Sequence, residues 1–290
     1  YTDGNGCSNL DSLEVNVEFG DSIEAGPNEA LCIDIGLHQL TGFLPATDAT
    51  WSGSGIVDPI NGIFDPQAAG PGPHTLTINT GIGTCSKSDT KIIFVGTPPS
   101  VNPGNDQSVC EDETAFTLAG FSPPGGIWTG QGITDTVNGV FDPQTVVPGT
   151  YVLLYTFVNN VTNCETAATK QITVNPLPFV DAGDTVQYCD NPNDIVLGAY
   201  TPSAGGIWSG DGIVNPSQGI FNTVNAGGIG VYHLAYDYTD PFTGCQNNDT
   251  LVVDVIFGDT VVAGPNDTVC VDDLPYTLGG SPMGGTWSGQ

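Results

Sequence analysis

The apolar residues of this chain fall in short runs that alternate with polar residues or with turn residues. The longest run is YVLLYTFV at 151–158, which is rich in β-branched and aromatic side chains, and shorter ones are AFTL at 115–118, IWT at 127–129 and TKQITV at 169–174. No segment carries the 3.6-residue apolar stripe of an amphipathic helix. Short strands separated by turn signals predict an all-β chain built as a β-sandwich.

A hairpin is predicted at Asn138-Gly139, because both residues tolerate the positive φ that a tight two-residue turn requires. The residues that follow, Val140 to Pro143, are expected to form a short edge strand.

The whole pattern repeats along the chain. The tryptophans are separated by 77, 80 and 79 residues, and phenylalanines and two sets of cysteines keep nearly the same step. The early cysteines are Cys32, Cys110, Cys189 and Cys270, and the late cysteines are Cys7, Cys85, Cys164 and Cys245. A step of this size suits a small domain rather than a solenoid repeat of about 20–50 residues. The sequence therefore predicts immunoglobulin-like (Ig-like) domains in an extended beads-on-a-string array, at 20–96, 97–175 and 176–257. Residues 1–19 and 258–290 are expected to be parts of flanking repeats in a longer array.

Each repeat carries one phrase around its tryptophan, such as GGIWTGQGI at 125–133 and GGIWSGDGI at 205–213. A tryptophan on a short central strand can bury a large apolar area between two sheets, and glycines let the chain bend beside the ring. A nucleotide loop is not indicated, because no helix follows the glycines. The predicted core residues are Trp51, Trp128, Trp208, Phe64, Phe141, Phe221, Tyr151 and Tyr232.

The charge excludes some classes of partner. Thirty-two acidic residues face three basic ones, which gives a net charge of −29. Such a chain repels nucleic-acid backbones and anionic lipid surfaces. No apolar stretch of about 18 residues is present, so no membrane-spanning segment is expected in this sequence.

Eight cysteines at repeating positions predict disulfides and an extracellular setting. A zinc site is not indicated, because no CxxC occurs and no histidine recurs with the cysteines. Pairing within a repeat would give Cys32–Cys85, Cys110–Cys164 and Cys189–Cys245, with Cys7 and Cys270 bonded to partners elsewhere. Pairing of neighbours in sequence, such as Cys7–Cys32 and Cys85–Cys110, is the alternative. The first is favoured, because collinear domains would hold the neighbouring cysteines too far apart for the ~7 Å limit between Cα atoms.

The recurring pattern G-G-x-W-[ST]-G-x-G, followed by G-x-F-x-P and Y-x-L-x-Y, resembles Ig-like and PKD-like repeats in giant surface proteins of Bacteroidota. The resemblance covers essentially the whole chain. It implies a cell-surface adhesin, such as the SprB-like gliding-motility adhesins that the type IX secretion system exports. Repeat one departs from the pattern with His74, where the others have Tyr151 and Tyr232.

Two further features are candidates for chemistry. Acidic residues recur beside the early cysteines, and loop carboxylates are ligands that calcium prefers. The candidate calcium ligands are Asp34, Asp112, Asp190 and Asp272.

An Asp-[Ser/Thr]-apolar pattern resembles the O-glycosylation motif of Bacteroidota, although such residues are also common where strands begin. The resemblance implies glycans at Ser12, Ser22, Thr136, Thr185, Thr250, Thr260 and Thr268.

The histidines His38, His74 and His233 occupy unrelated positions, so no catalytic site is expected. The sequence favours a non-catalytic structural and adhesive stalk without a cofactor, calcium aside. Its expected partners are the neighbouring repeats, surface polysaccharide or other cell-surface proteins. The alternative is a spacer or carbohydrate-binding module of a large secreted enzyme.

Overall fold

A computed structural model describes residues 2–8, 10–15, 22–45, 47–80, 86–272 and 275–289. The regular secondary structure of these residues is almost entirely β-strand, and the strands fall into three sets of seven. The all-β prediction is therefore confirmed. The repeat boundaries predicted above remain predictions, and "repeat one", "repeat two" and "repeat three" below denote 20–96, 97–175 and 176–257.

The strands of repeat one are β1 (Glu29–Cys32), β2 (His38–Gln39), β3 (Ala49–Ser52), β4 (Ile56–Asp58), β5 (Ile63–Phe64), β6 (Gly72–Thr80) and β7 (Lys87–Gly96). Those of repeat two are β8 (Gln107–Cys110), β9 (Phe116–Thr117), β10 (Ile127–Thr129), β11 (Ile133–Asp135), β12 (Val140–Phe141), β13 (Gly149–Val158) and β14 (Glu165–Asn175). Those of repeat three are β15 (Val186–Cys189), β16 (Ile195–Val196), β17 (Ile207–Ser209), β18 (Ile213–Asn215), β19 (Ile220–Phe221), β20 (Gly230–Thr239) and β21 (Gln246–Ile256).

Each repeat has one four-stranded and one three-stranded sheet. In repeat one the orders are β1-β7-β6-β3 and β2-β5-β4, and in repeat three they are β15-β21-β20-β17 and β16-β19-β18. The first strand lies parallel to the last, as in β1 with β7, while the other pairs are antiparallel. Seven strands in two sheets, with a buried tryptophan on the third strand, define an Ig-like sandwich.

The core of each sandwich lies between its two sheets. In repeat one, Trp51, Leu76 and Ile93 from the larger sheet pack with Phe64 from the smaller one. The equivalent residues of repeat three form the same cluster around Trp208 and Phe221. Burial of these large side chains is the main favourable contribution to folding of a domain of this size.

The chain divides into two compact units. One comprises 1–107, 115–142 and 150–172, and the other comprises 108–114, 143–149 and 173–290. The division runs through repeat two, so that repeat one with most of repeat two forms the first unit, and repeat three with three short segments of repeat two belongs to the second.

The structure corrects three local predictions. The strand after Asn138-Gly139 is not an edge strand: β12 is the central strand of its sheet, and Phe141 is fully buried. Its outer neighbour β11 was missed, because this strand has only three residues, between Gly132 and the next turn. Tyr151 and Tyr232 are half-buried rather than buried.

Helical structure is confined to single turns where the described chain crosses from the smaller to the larger sheet. These are α1 (Pro66–Ala69), α2 (Thr223–Ala226) and a 3-10 turn at Pro143–Thr145. Asp65 caps α1, since its carboxylate accepts a hydrogen bond from the backbone N–H of Gln67.

Candidate functional site: the disulfide-bonded junctions between repeats

The most specific chemistry in the described chain is a pair of disulfides that join successive repeats. Cys32 of repeat one is bonded to Cys164 of repeat two, with 4.9 Å between the Cα atoms. Cys110 of repeat two is bonded to Cys245 of repeat three, with 5.6 Å between the Cα atoms. Each bridge therefore joins the early cysteine of one repeat to the late cysteine of the next.

Both pairings expected from the sequence are wrong. Cys32, Cys110 and Cys164 are each bonded to a cysteine that neither scheme proposed, and the bond Cys189–Cys245 does not form. Cys189, Cys7 and Cys270 have exposed free thiols. Cys85, which was expected to pair with Cys32, lies outside the described residues.

The parallel first strand explains why a bridge within one repeat is impossible. In repeat three, Cys189 lies opposite Ile256, at the carboxyl end of β21, whereas Cys245 directly precedes the amino end of that strand. The 11 residues of β21 extend over roughly 35 Å at about 3.3 Å per residue. A disulfide tolerates less than about 7 Å between Cα atoms. Early and late cysteines thus lie at opposite ends of their repeat.

The early cysteine is positioned by the pairing of β1 with β7. Cys32 lies opposite Gly96, the last residue of β7. The backbone N–H of Ile33 then donates to the carbonyl of Gly96 at 2.9 Å. The bridge therefore leaves from a strand end that is hydrogen-bonded on both sides of the cysteine, and Cys32 itself is buried.

The late cysteine is positioned by a tight turn between the two longest strands. In repeat two the side-chain oxygen of Asn159 accepts a hydrogen bond from the backbone N–H of Val161, and the backbone N–H of Asn159 donates to the carbonyl of Cys164. In repeat three, Asp240 makes the same contacts with Phe242 and Cys245. These hydrogen bonds close the turn that carries the late cysteine.

Close packing accompanies the first bridge. A Cβ placed on Gly96 would lie only 2.4 Å from Cγ2 of Thr162, in the turn that carries Cys164. Thr162 is itself buried, and its hydroxyl accepts from the backbone N–H of Cys164 at 3.4 Å. A larger residue at Gly96 would therefore force this turn away from the end of β7.

The tryptophan phrase is explained by a tyrosine that sequence reasoning missed. Trp128 lies opposite Tyr155, and Trp208 lies opposite Tyr236. Both tyrosines are buried, and their ring centres lie 4.8 and 4.9 Å from those of the tryptophans. Burial raises the pKa of the Tyr236 hydroxyl above the ordinary tyrosine value.

The second glycine of each Gly-Gly pair makes room for that tyrosine. The N–H of Gly126 donates to the hydroxyl of Tyr155 at 2.9 Å, and a Cβ on Gly126 would lie 2.7 Å from the hydroxyl oxygen. Repeat one has Ala49 at the glycine position and Ile78 at the tyrosine position. The two positions thus change together within one chain, a signal that comparison of the repeats could have found.

A second pair of positions also changes together. Asp89 accepts a hydrogen bond from the N–H of Ala25 at 2.7 Å, and Asp249 accepts one from the N–H of Ala182 at 2.9 Å. Repeat two has neither partner: Pro103, which lacks an N–H, stands at the alanine position, and Ala168 stands at the aspartate position. The backbone N–H donors hold the pKa values of Asp89 and Asp249 below the ordinary carboxyl value.

The hydrogen bond from Ala182 to Asp249 predicts a pH dependence of stability that Asp249→Ala should reduce. Because the pKa of Asp249 is lowered in the folded chain, its contribution is fully present above the ordinary carboxyl pKa and is lost as the pH falls through the folded value. Thermal unfolding measured from pH 7 to pH 2 should therefore show a smaller acid-induced loss of stability in the variant than in the wild type.

The matched control restores the missing pair in repeat two. Ala168→Asp should stabilise that repeat only when Pro103→Ala also supplies the backbone N–H donor. Equal acid sensitivity of wild type and Asp249→Ala would contradict this.

Two of the three basic residues of the chain are buried at equivalent positions. The ammonium of Lys91 donates to a carboxylate oxygen of Glu29, whose other oxygen lies 2.6 Å from Nε2 of His38. The ammonium of Lys170 donates to the carbonyl of Asn105, and burial lowers the pKa of Lys170 although Asp106 opposes the shift. Lys91 therefore holds the start of β1 against β7, and Lys170 holds the segment just before β8 against β14. Lys87 is exposed.

The remaining candidate residues do not converge on a site. The four acidic calcium candidates are exposed, and no group of three or more His, Cys, Asp or Glu side chains within the described ranges could hold a metal ion. His74 bonds the carbonyl of Gly70 at 2.8 Å, as Tyr232 bonds that of Gly228, and His233 is exposed. No described helix is long and apolar enough to cross a membrane.

Comparison with known proteins gives structural likenesses only. No family model and no curated protein matches the chain. Among solved structures it is similar to a variant of titin domains I67–I69, with 13% identity over 82% of this chain and 98% of that one, at a TM-score of 0.36. It is also similar to mouse protocadherin-24 EC1–3, with 10% identity over 87% of this chain and 100% of that one, at a TM-score of 0.29. A third similar structure is that of Drosophila OTK extracellular domains 3–5, with 14% identity over 81% of this chain and 96% of that one, at a TM-score of 0.27.

Proposed function

We propose that this chain is a non-catalytic, load-bearing spacer of an extracellular protein, in which cross-bonded Ig-like repeats provide reach and support surface attachment. The observation that carries the proposal is the bonding of each complete repeat to the next, through Cys32–Cys164 and Cys110–Cys245. A bridge between domains resists their separation under tension, which a catalytic or ligand-binding module does not require. Disulfides also favour an oxidising, extracytoplasmic setting.

The resemblance of the repeats to Bacteroidota surface proteins supports a more specific form of the proposal. The spacer would belong to a cell-surface filament of the SprB-like type, exported by type IX secretion and used in gliding motility. Its partners would be surface polysaccharide or other cell-surface proteins.

O-glycosylation belongs to the same proposal. The seven Ser and Thr residues of the Asp-[Ser/Thr]-apolar pattern are all exposed, so a transferase could reach them. Intact mass spectrometry of native material should show added hexose, and an unmodified mass would contradict this part of the proposal. Calcium binding at the junctions likewise stays a prediction.

The function is tested by displaying the chain on cells that lack their own adhesins. A second version lacks 97–175, so that Cys32 can bond to Cys245 and the bonding pattern is preserved. A spacer predicts that a fluorophore at the amino terminus moves closer to the cell by about 40 Å, the length of a strand of roughly a dozen residues, and that attachment to polysaccharide-coated glass decreases in part. An unchanged distance, or complete loss of attachment, would contradict the spacer role.

A further inference from the structure

The two disulfides close overlapping loops. Cys32–Cys164 encloses a sequence separation of 132 and Cys110–Cys245 one of 135. Cys110 lies inside the first loop, and Cys164 lies inside the second. Pairing within each repeat would instead have closed three separate loops in series.

Overlap gives two covalent routes between Cys32 and Cys245. One route follows the backbone from Cys32 to Cys110 and crosses the second bridge, and the other crosses the first bridge and follows the backbone from Cys164. A cut between Cys32 and Cys110 leaves the second route intact, and a cut between Cys164 and Cys245 leaves the first intact. A cut between Cys110 and Cys164 leaves both.

We propose that these overlapping bridges make the chain from Cys32 to Cys245 a tether that survives any single cleavage of its backbone. The cleavage that the tether would withstand is that of an endoprotease acting on exposed turns. Val137, in the turn between β11 and β12, is 70% exposed, and Phe242, in the turn before Cys245, is 95% exposed. Both turns lie within the protected interval.

The two routes are also nearly equal in length. Cys32 and Cys110 are 78 residues apart, and Cys164 and Cys245 are 81 residues apart. The difference of three residues corresponds to about 1 nm of extended chain at ~3.5 Å per residue. When one route is cut, the other therefore takes the load with almost no added slack. Covalent continuity follows from the bonding alone, whereas its use under load rests on the proposed spacer function.

The test uses single tryptic cuts of the folded, full-length chain. Exposed Lys87 is the natural site, since Lys91 and Lys170 are buried. A second protein, with Lys87→Gln and Val137→Lys, moves the site into the middle interval. The matched control combines Lys87→Gln with Phe257→Lys, an equally exposed position beyond Cys245, where Phe257 is 79% exposed.

After either inner cut, denaturing gels without reductant should show one full-length species, and reductant should release two fragments. The control should lose residues 258–290 with or without reductant. Separation without reductant after the cut at 87 or at 137 would overturn the proposal: within-repeat bonding separates at 87, and neighbour bonding separates at 137. Retention of the control fragment would overturn it too. None of these outcomes depends on the spacer function, which the display experiment tests by itself.

Discussion

Replacing Trp128 by alanine should cost repeat two about 3–5 kcal/mol of unfolding free energy, the usual range for loss of a buried aromatic side chain. Trp128 is fully buried, contacts Tyr155 and meets Phe121 edge-on with 5.7 Å between ring centres. A Cβ on Gly139 would lie 2.6 Å from its ring, so the turn is built directly against the indole. The cavity left by alanine could not be filled by a small movement of this glycine.

Trp128→Phe should cost less than Trp128→Ala. The indole N–H of Trp128 has no hydrogen-bond partner, and the same is true of Trp51 and Trp208. The tryptophan therefore contributes as an apolar ring, and phenylalanine restores much of that area without leaving an acceptor unpaired.

Native-state hydrogen exchange of the β13 amides measures the stability of repeat two, because a chain of several repeats does not unfold in one step. Ile127→Ala, at a half-exposed neighbouring position, is the control and should cost well under half as much as Trp128→Ala. If the two alanine variants were equally stable, the indole would not be the centre of the core.

Removal of the disulfides should change the fully extended length of the chain in an unusual way. With both bridges, the stretch from Cys32 to Cys245 can extend to about 27 nm, since 78 residues at ~3.5 Å each limit it. Removing one bridge, by Cys110→Ser with Cys245→Ser, leaves the other route at about 28 nm. Removing all four cysteines releases 213 residues, or about 75 nm.

Force spectroscopy with handles outside this stretch measures these lengths. The overlapping arrangement predicts almost no change for either single bridge and a nearly threefold increase when both are lost. Serial loops within repeats would give a stepwise increase instead, about 19 nm for each loop of some 54 residues.

The fold could be predicted from the sequence because its signals are local. YVLLYTFV and TKQITV became the long strands β13 and β14, and the tryptophan phrase became the third strand of each sandwich. A turn does precede β12, but it spans 136–139 and only Gly139 of the Asn-Gly pair has a positive φ, so it is not the two-residue turn that was expected. Each of these elements depends on residues a few positions apart, which is the range over which turn chemistry and alternation act.

The disulfide arrangement could not be predicted, because it depends on contacts far apart in sequence. The four residues of β1 pair in parallel with β7, more than 60 positions later. That pairing places the early cysteine at the end of the sandwich opposite to the late one. An antiparallel first strand would have brought the cysteines of one repeat to the same end.

The buried tyrosine was misplaced for a related reason. Tyr151 and Tyr155 lie on the same face of β13, and alternation alone cannot tell which of them reaches the middle of the core. The register of β10 with β13 decides this, because it sets Tyr155 opposite Trp128. The covariation of Gly126 with Tyr155, and of Ala49 with Ile78, is the sequence signal that would have identified the pair.

The most direct test of the cross-bonded repeats is a disulfide map of the Val137→Lys protein, unfolded without reductant, with free thiols blocked, and digested to completion with trypsin. Trypsin then cleaves after Lys87, Lys91 and Lys170 and at the substituted position of Val137→Lys, since the chain has no arginine. The structure predicts two disulfide-linked species, 1–87 with 138–170 and 92–137 with 171–290. Isolation of 1–87 on its own, or bonded to 92–137, would contradict the account.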